Sequence, residues 1–135
     1  MATSSAPARC GTPAAQMINL DTHVLVHALA GSLTVREQRI LAADEWAISA
    51  IVLWEVAKLV QLGRLELELD HAETQRALAT IEVVPITLPI ARQSTALDFK
   101  SDPADELIAA TSIVTRLPLL TRDKRIRKSK LVPFA

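Results

Sequence analysis

Four acidic residues, Asp21, Glu55, Asp105 and Asp123, stand where side chains could do chemistry. Asp21 directly follows a short apolar run, and Asp123 follows another with only Arg122 between. Glu55 lies inside an apolar stretch entered through Ser49, and Asp105 stands three residues after Asp102 at the head of a further one. Carboxylates gathered at one place repel by about 4 kcal/mol per pair at 4 Å and an effective dielectric near 20. A hard divalent cation removes that penalty, and an all-oxygen donor set suits Mg²⁺ or Mn²⁺. The chemistry such a set serves best is phosphodiester hydrolysis. A bound metal draws charge from the phosphate and lowers the pKa of the water that attacks it.

Each residue also has a simpler role to set beside this one. Asp21 and Asp123 both precede helical patterns and can cap them through backbone N–H groups. Asp102-Pro103-Ala104-Asp105 reads as a helix start, with a cap, proline at the first position and an acid at the third. That role accounts for Asp102, which is kept as an accessory candidate, better than for Asp105. Glu55 sits between Trp54 and Val56, where a charge is costly unless paired or metal-bound. Its surface alternative is a pair with Lys58, worth about 0.2–0.5 kcal/mol. Ser49 and Thr121 are strand-end hydroxyls that can also orient carboxylates. His23, His27 and His71 have no partner cluster and read as ordinary packing or surface residues.

The elements that must position these groups alternate in period. Met17–Leu20, Trp46–Ile48, Ile81–Ile86 and Pro118–Thr121 read as strands, and Leu131–Val132 as a final edge strand. Helical spacing runs from Thr22 to Gly31 and from Thr34 to Ala43, the latter opened by a Thr34/Glu37 capping box. Further helices run from Ser49 to Leu62-Gly63, Asp70 to Thr80, Pro89 to Phe99 and Pro103 to Thr115, and Asp123 opens a short basic one. Alternation of this kind predicts an α/β fold with a short, mostly parallel sheet flanked by helices on both faces. Ligands of such sheets bind beyond the carboxyl ends of the strands, where Asp21, Ser49 and Asp123 fall.

Composition narrows the field. Half of the 135 residues are hydrophobic, and 15 basic residues balance 15 acidic ones, which excludes a disordered polyelectrolyte. Three glycines and only four aromatic residues (Trp46, Trp54, Phe99 and Phe134) argue against an aromatic-rich β-sandwich. One cysteine, Cys10, excludes a disulfide framework and a cysteine-based zinc site, and suits a reducing cytoplasm. No apolar run approaches the roughly 20 residues of a membrane span. Residues 1–16 read as a disordered leader without the apolar stretch of a signal peptide, with Met17 a candidate alternative start; residues 17–135 form the folded domain. Arg122, Lys124, Arg125, Arg127, Lys128 and Lys130 crowd the segment after the last main strand. With zero net charge, any nucleic-acid affinity must come from such a local patch, and Arg122, Lys124 and Arg125 are the candidate RNA contacts. A solvated charged face is the equally simple reading of that run.

Four blocks of the sequence carry a family resemblance. Leu20-Asp-Thr-His-Val-Leu25, Ile48-Ser-Ala with Trp54-Glu-Val-Ala-Lys58, Asp102-Pro-Ala-Asp-Glu-Leu-Ile-Ala-Ala-Thr111 and Pro118-Leu-Leu-Thr-Arg-Asp-Lys-Arg-Ile126 resemble, in order, the motifs of PIN-domain ribonucleases. More narrowly they resemble the VapC toxins of toxin–antitoxin pairs. The resemblance implies a PIN-like nuclease domain and a Mg²⁺- or Mn²⁺-dependent endoribonuclease. It also implies a homodimer held inactive by a cognate antitoxin. It carries the acidic roles onto Asp21, Glu55, Asp105 and Asp123, with Asp21, Asp105 and Asp123 as metal ligands. Val52 stands where the family often has serine, and Glu106 where arginine commonly follows the third acid. A housekeeping RNA-processing nuclease and a catalytically silent PIN-like module are the alternatives within the fold. A phosphoacceptor receiver domain needs paired acids after its first strand, and a haloacid-type phosphatase needs Asp-x-Asp there; Asp21-Thr22-His23 offers neither.

Overall fold

The computed structural model describes residues 16–135, so the expected leader lies outside the described residues apart from Gln16. Strand β1 (Met17–Leu20) leads through Asp21 into helix α1 (Thr22–Ala30). Gly31 ends that helix at φ 71°, a left-handed conformation that costs glycine least. Helix α2 (Val35–Ala42) opens on the expected capping box: the Glu37 N–H donates to Thr34 Oγ1 at 3.1 Å, and the Thr34 N–H donates to Glu37 Oε1 at 2.9 Å. Strand β2 (Glu45–Ser49) and helix α3 (Ala50–Gln61) follow, then α4 (Ala72–Ala79), β3 (Glu82–Val84) and α5 (Leu88–Ser94). Helix α6 (Pro103–Thr115), strand β4 (Leu119–Leu120) and helix α7 (Lys124–Arg127) complete the order.

The four strands form one parallel sheet in the order β3-β2-β1-β4. Asn19 faces Ala47 on one side and Leu119 on the other, which aligns the carboxyl ends of the strands along one edge. Ile18, Asn19 and Leu20 point alternately to opposite faces, and all three are buried, so both faces of β1 are covered. The core is aliphatic, built on Leu20, Leu25, Ile48, Ile90, Ile108, Leu119, Leu120 and Ile126. Buried Asn19 ties β1 to α6, donating to Ser112 Oγ at 2.9 Å and to the Ile108 carbonyl at 3.2 Å. The chain passes from β1 to β2 and β3 on one side, then returns to place β4 on the other side of β1. The topological switch point therefore lies between β1 and β4, where open α/β sheets bind ligands.

Several expected boundaries move: the strands expected over Ile81–Ile86 and Pro118–Thr121 shorten to Glu82–Val84 and Leu119–Leu120, and three other elements shift. The helix expected from Asp70 begins at Ala72, because His71 Nδ1 takes the capping position and accepts the Glu73 N–H at 3.3 Å. The helix expected to reach Phe99 ends at Ser94. The last edge pairing lies at Phe134, bridged to Leu119, rather than at Leu131–Val132. Asp98 accepts from Ser129 Oγ at 2.6 Å and from the Lys130 N–H at 2.8 Å, and the Ser129 hydroxyl accepts the Leu131 and Val132 N–H groups. Those bonds hold 129–132 in a turn and delay the pairing. No helix among the described residues is long and apolar enough to cross a membrane.

Candidate active site

Asp21 is 2% exposed at the carboxyl end of the central strand. Its Oδ1 accepts the Thr22 N–H at 2.7 Å, and its Oδ2 accepts the Thr121 hydroxyl at 2.6 Å. The residue thus caps α1 and also joins the end of β1 to the end of β4. Burial pushes its carboxyl above the usual range; the Thr121 and Thr22 bonds oppose that, as does His23, while the charge of Asp123 adds to it.

Glu55 is half-buried on α3, nearly two turns in from the Ser49 cap. Its Oε1 accepts a short hydrogen bond from the Thr22 hydroxyl. Lys58 is not its partner: the ammonium donates to Gln61 Oε1 at 3.0 Å and lies 5.9 Å from the centre of the Trp54 ring. Burial raises the Glu55 carboxyl, the Thr22 bond opposes it, and the charges of Asp21 and Asp102 add to it.

Asp105 lies in the first turn of α6, with its Oδ2 accepting from Ser101 Oγ at 2.9 Å. Its carboxyl is pushed up to about 6, by burial first and then by the charges of Asp21, Glu55 and Asp123 against the opposing Ser101 bond. Asp123 caps α7, its Oδ1 accepting the Arg125 and Ile126 N–H groups at 2.8 and 3.1 Å. Asp102 occupies the cap position of α6 but its side chain makes no capping hydrogen bond, so the structural role expected for it is not expressed in this geometry. Ser49, fully buried, caps α3 by accepting the Ile51 N–H at 3.3 Å.

Asp21, His23, His27, Arg122 and Asp123 line an open cavity of about 260 Å³ at the switch point. Of the three cations expected to meet RNA, Lys124 and Arg125 are exposed, and Arg122 is paired with Glu37. Among the described residues, no three His, Cys, Asp or Glu side chains form a ready-made metal-binding group. The acids nonetheless feel one another's charge, and every donor is an oxygen, which is the donor chemistry of a hard divalent cation. Three supporting residues escaped sequence reasoning: Thr22, Ser101 and Glu37. Thr22 and Ser101 are small hydroxyl residues beside strand or helix ends, too common a pattern to single out.

The PIN-domain family model matches residues 18–130. The chain belongs to the PIN-domain family. Within that family it is 38% identical over 96 residues to Ribonuclease VapC22 of Mycobacterium tuberculosis, covering 69% of this chain and 74% of the relative. This PIN domain also superposes on a toxin–antitoxin complex from Klebsiella pneumoniae with a TM-score of 0.61 and 28% identity, over 80% of this chain and 88% of that one. VapBC2 from Rickettsia felis, bound to a DNA fragment from its promoter, matches with a TM-score of 0.63 over 89% of this chain and 98% of that one. At 17% identity that likeness shows the fold alone. The PIN fold agrees with the reading of the sequence blocks.

Proposed function

We propose that this PIN domain is a divalent-metal-dependent endoribonuclease acting as the toxin of a toxin–antitoxin pair, on single-stranded or loop RNA in the cytoplasm. The observation that carries the reading is a buried acidic set at the carboxyl ends of the strands, in which Asp105 is pushed up to about 6 by burial first and then by the charges of Asp21, Glu55 and Asp123. Carboxylates that four separate elements bring within reach of one another's charge are poised for a cation. Likeness to Ribonuclease VapC22 supports the RNA substrate, and likeness to the Klebsiella pneumoniae complex supports an antitoxin partner.

Asp21, Asp105 and Asp123 are the residues that would hold Mg²⁺ or Mn²⁺. The bound ion would supply charge withdrawal from the phosphate and a water of lowered pKa. Thr121 fixes the orientation of Asp21, and Ser101 fixes that of Asp105. Thr22 holds Glu55 Oε1 and leaves Oε2 to accept the proton of the attacking water. Exposed Lys124 and Arg125 meet the RNA backbone, giving binding that weakens with salt. The exposed apolar residues Leu53, Trp54 and Leu62 of α3 and its cap, with Val35 of α2, offer a face for a second copy and for an apolar antitoxin segment.

Purified protein incubated with single-stranded RNA should cut in Mg²⁺ or Mn²⁺ and stop when a chelator is added. Cleavage that survives exhaustive chelation would overturn the mechanism.

A further inference from the structure

Arg122 is flanked in the chain by Thr121, which holds Asp21, and by Asp123 itself. It lines the same cavity as both acids. A guanidinium there shares the cavity with carboxylates, the partners its planar fork fits best. The structure turns it elsewhere. Arg122 Nε donates to Glu37 Oε2 at 2.7 Å and Nη2 donates to Oε1 at 2.6 Å, a two-bond pair. Glu37 is 5% exposed, and its Oε1 also accepts the Thr34 N–H at 2.9 Å. The carboxylate is therefore fixed by its own helix before it meets Arg122. Helix α2 contributes no acid to the site, yet its first turn carries this buried charge facing the loop after β4. A cap alone does not require it, because glutamine serves the third position of a capping box as well as glutamate.

We infer that Glu37 is a positioning residue that withholds Arg122 from the acidic cluster, keeping an internal cation off Asp21 and Asp123 and fixing the loop between β4 and α7. The inference rests on the metal-dependent reading of those acids. Released from Glu37, Arg122 would be free to turn toward Asp21 and Asp123 and compete with a divalent cation for the same oxygens. The pair thus preserves the negative field that the site needs.

The test is Mn²⁺ affinity by titration calorimetry, with RNA cleavage followed alongside. Glu37→Gln keeps an acceptor for the Thr34 N–H but loses the charge, and should weaken Mn²⁺ binding about tenfold, as loss of outer-shell partners does. The double variant Glu37→Gln with Arg122→Gln has no cation to release and should recover most of that loss. Thr34→Ala, which weakens the same helix start but keeps the Glu37 carboxylate and both its bonds from Arg122, should bind Mn²⁺ as the unmodified chain does. An unchanged affinity in Glu37→Gln overturns the inference. So does a double variant as weak as the single one, or an equal loss in Thr34→Ala, since either makes the pair merely structural. An unmodified chain that binds Mn²⁺ but cuts no RNA overturns the nuclease reading alone, and the affinities still decide the role of Glu37. An unmodified chain that binds no Mn²⁺ overturns both.

Discussion

Thr121 and Asp21, a hundred residues apart in the chain, meet at 2.6 Å across the ends of two adjacent parallel strands. The same hydroxyl oxygen accepts the Asp123 N–H at 3.0 Å. One threonine therefore sets the position of both acids that border the switch point. Neutralising the acids and removing their supports should have different consequences.

Asp21→Asn and Asp105→Asn should each abolish Mn²⁺ binding and cleavage while leaving the fold intact. Both carboxyls are raised by burial, so replacing them with neutral amides relieves an unfavourable charge. Thermal melting at pH 7.5 without divalent ions should show stability unchanged or raised by ~1 kcal/mol. A clear drop in melting temperature for both would mean the carboxylates are structural.

Stability and activity should move in opposite directions with pH. Asp105 titrates near 6 in the folded chain against a usual 3.8, so the folded state holds its proton more tightly. Its contribution to stability is present below about 3.8 and is lost as pH rises through about 6. The full linkage is ~3 kcal/mol, reduced to ~1 kcal/mol by solvent screening at a half-exposed site. Glu37, drawn down to about 2 chiefly by the Arg122 pair, stays ionised across this window and does not contribute. Melting in chelator should be higher at pH 5 than at pH 7.5, and Asp105→Asn should flatten the difference. Cleavage should rise across the same interval.

Asp102→Asn should leave the stability of α6 within ~0.5 kcal/mol, because the side chain makes no capping bond to lose. Its charge does reach Glu55, so a modest change in the Mn²⁺ dependence of cleavage is expected. A loss as complete as that of Asp105→Asn would reassign the third acid.

Much of this was legible in the sequence because local rules and the fold agree. The Thr34/Glu37 box, the Gly31 stop, the Asp-Pro start of α6 and all four acids appear where spacing placed them. Long-range partners were not legible. Glu37 reads locally as a cap residue, and nothing near it names Arg122, 85 residues on. Glu55 suggests Lys58 at helical spacing, whereas its partner Thr22 arrives from α1 through the crossing of two helices. Arg116 closes α6 in the left-handed conformation at φ 59°, where glycine or asparagine would be expected, yet the helix ends at Thr115 as its pattern predicts.

Inhibition by an antitoxin whose basic side chain reaches the acids should weaken as Mn²⁺ is raised, by mass action on a shared site. Light scattering should find a homodimer, and replacing exposed Trp54 by a charged residue should shift it toward monomer. Inhibition indifferent to Mn²⁺ would point to a steric block of the RNA path.

The parallel pairing of β1 with β4 also sets when the acidic set can exist. Asp21 leaves the ribosome early, while Thr121 and Asp123 follow a hundred residues later. At 5–20 residues per second that interval is about 5 to 20 s. Throughout it, the nascent chain is surrounded by messenger and ribosomal RNA. A chain interrupted before Leu119 can pair β1 with β2 and β3 but has neither the strand that completes the switch point nor the last acid. The acidic set is therefore assembled only after the chain has been made through Asp123.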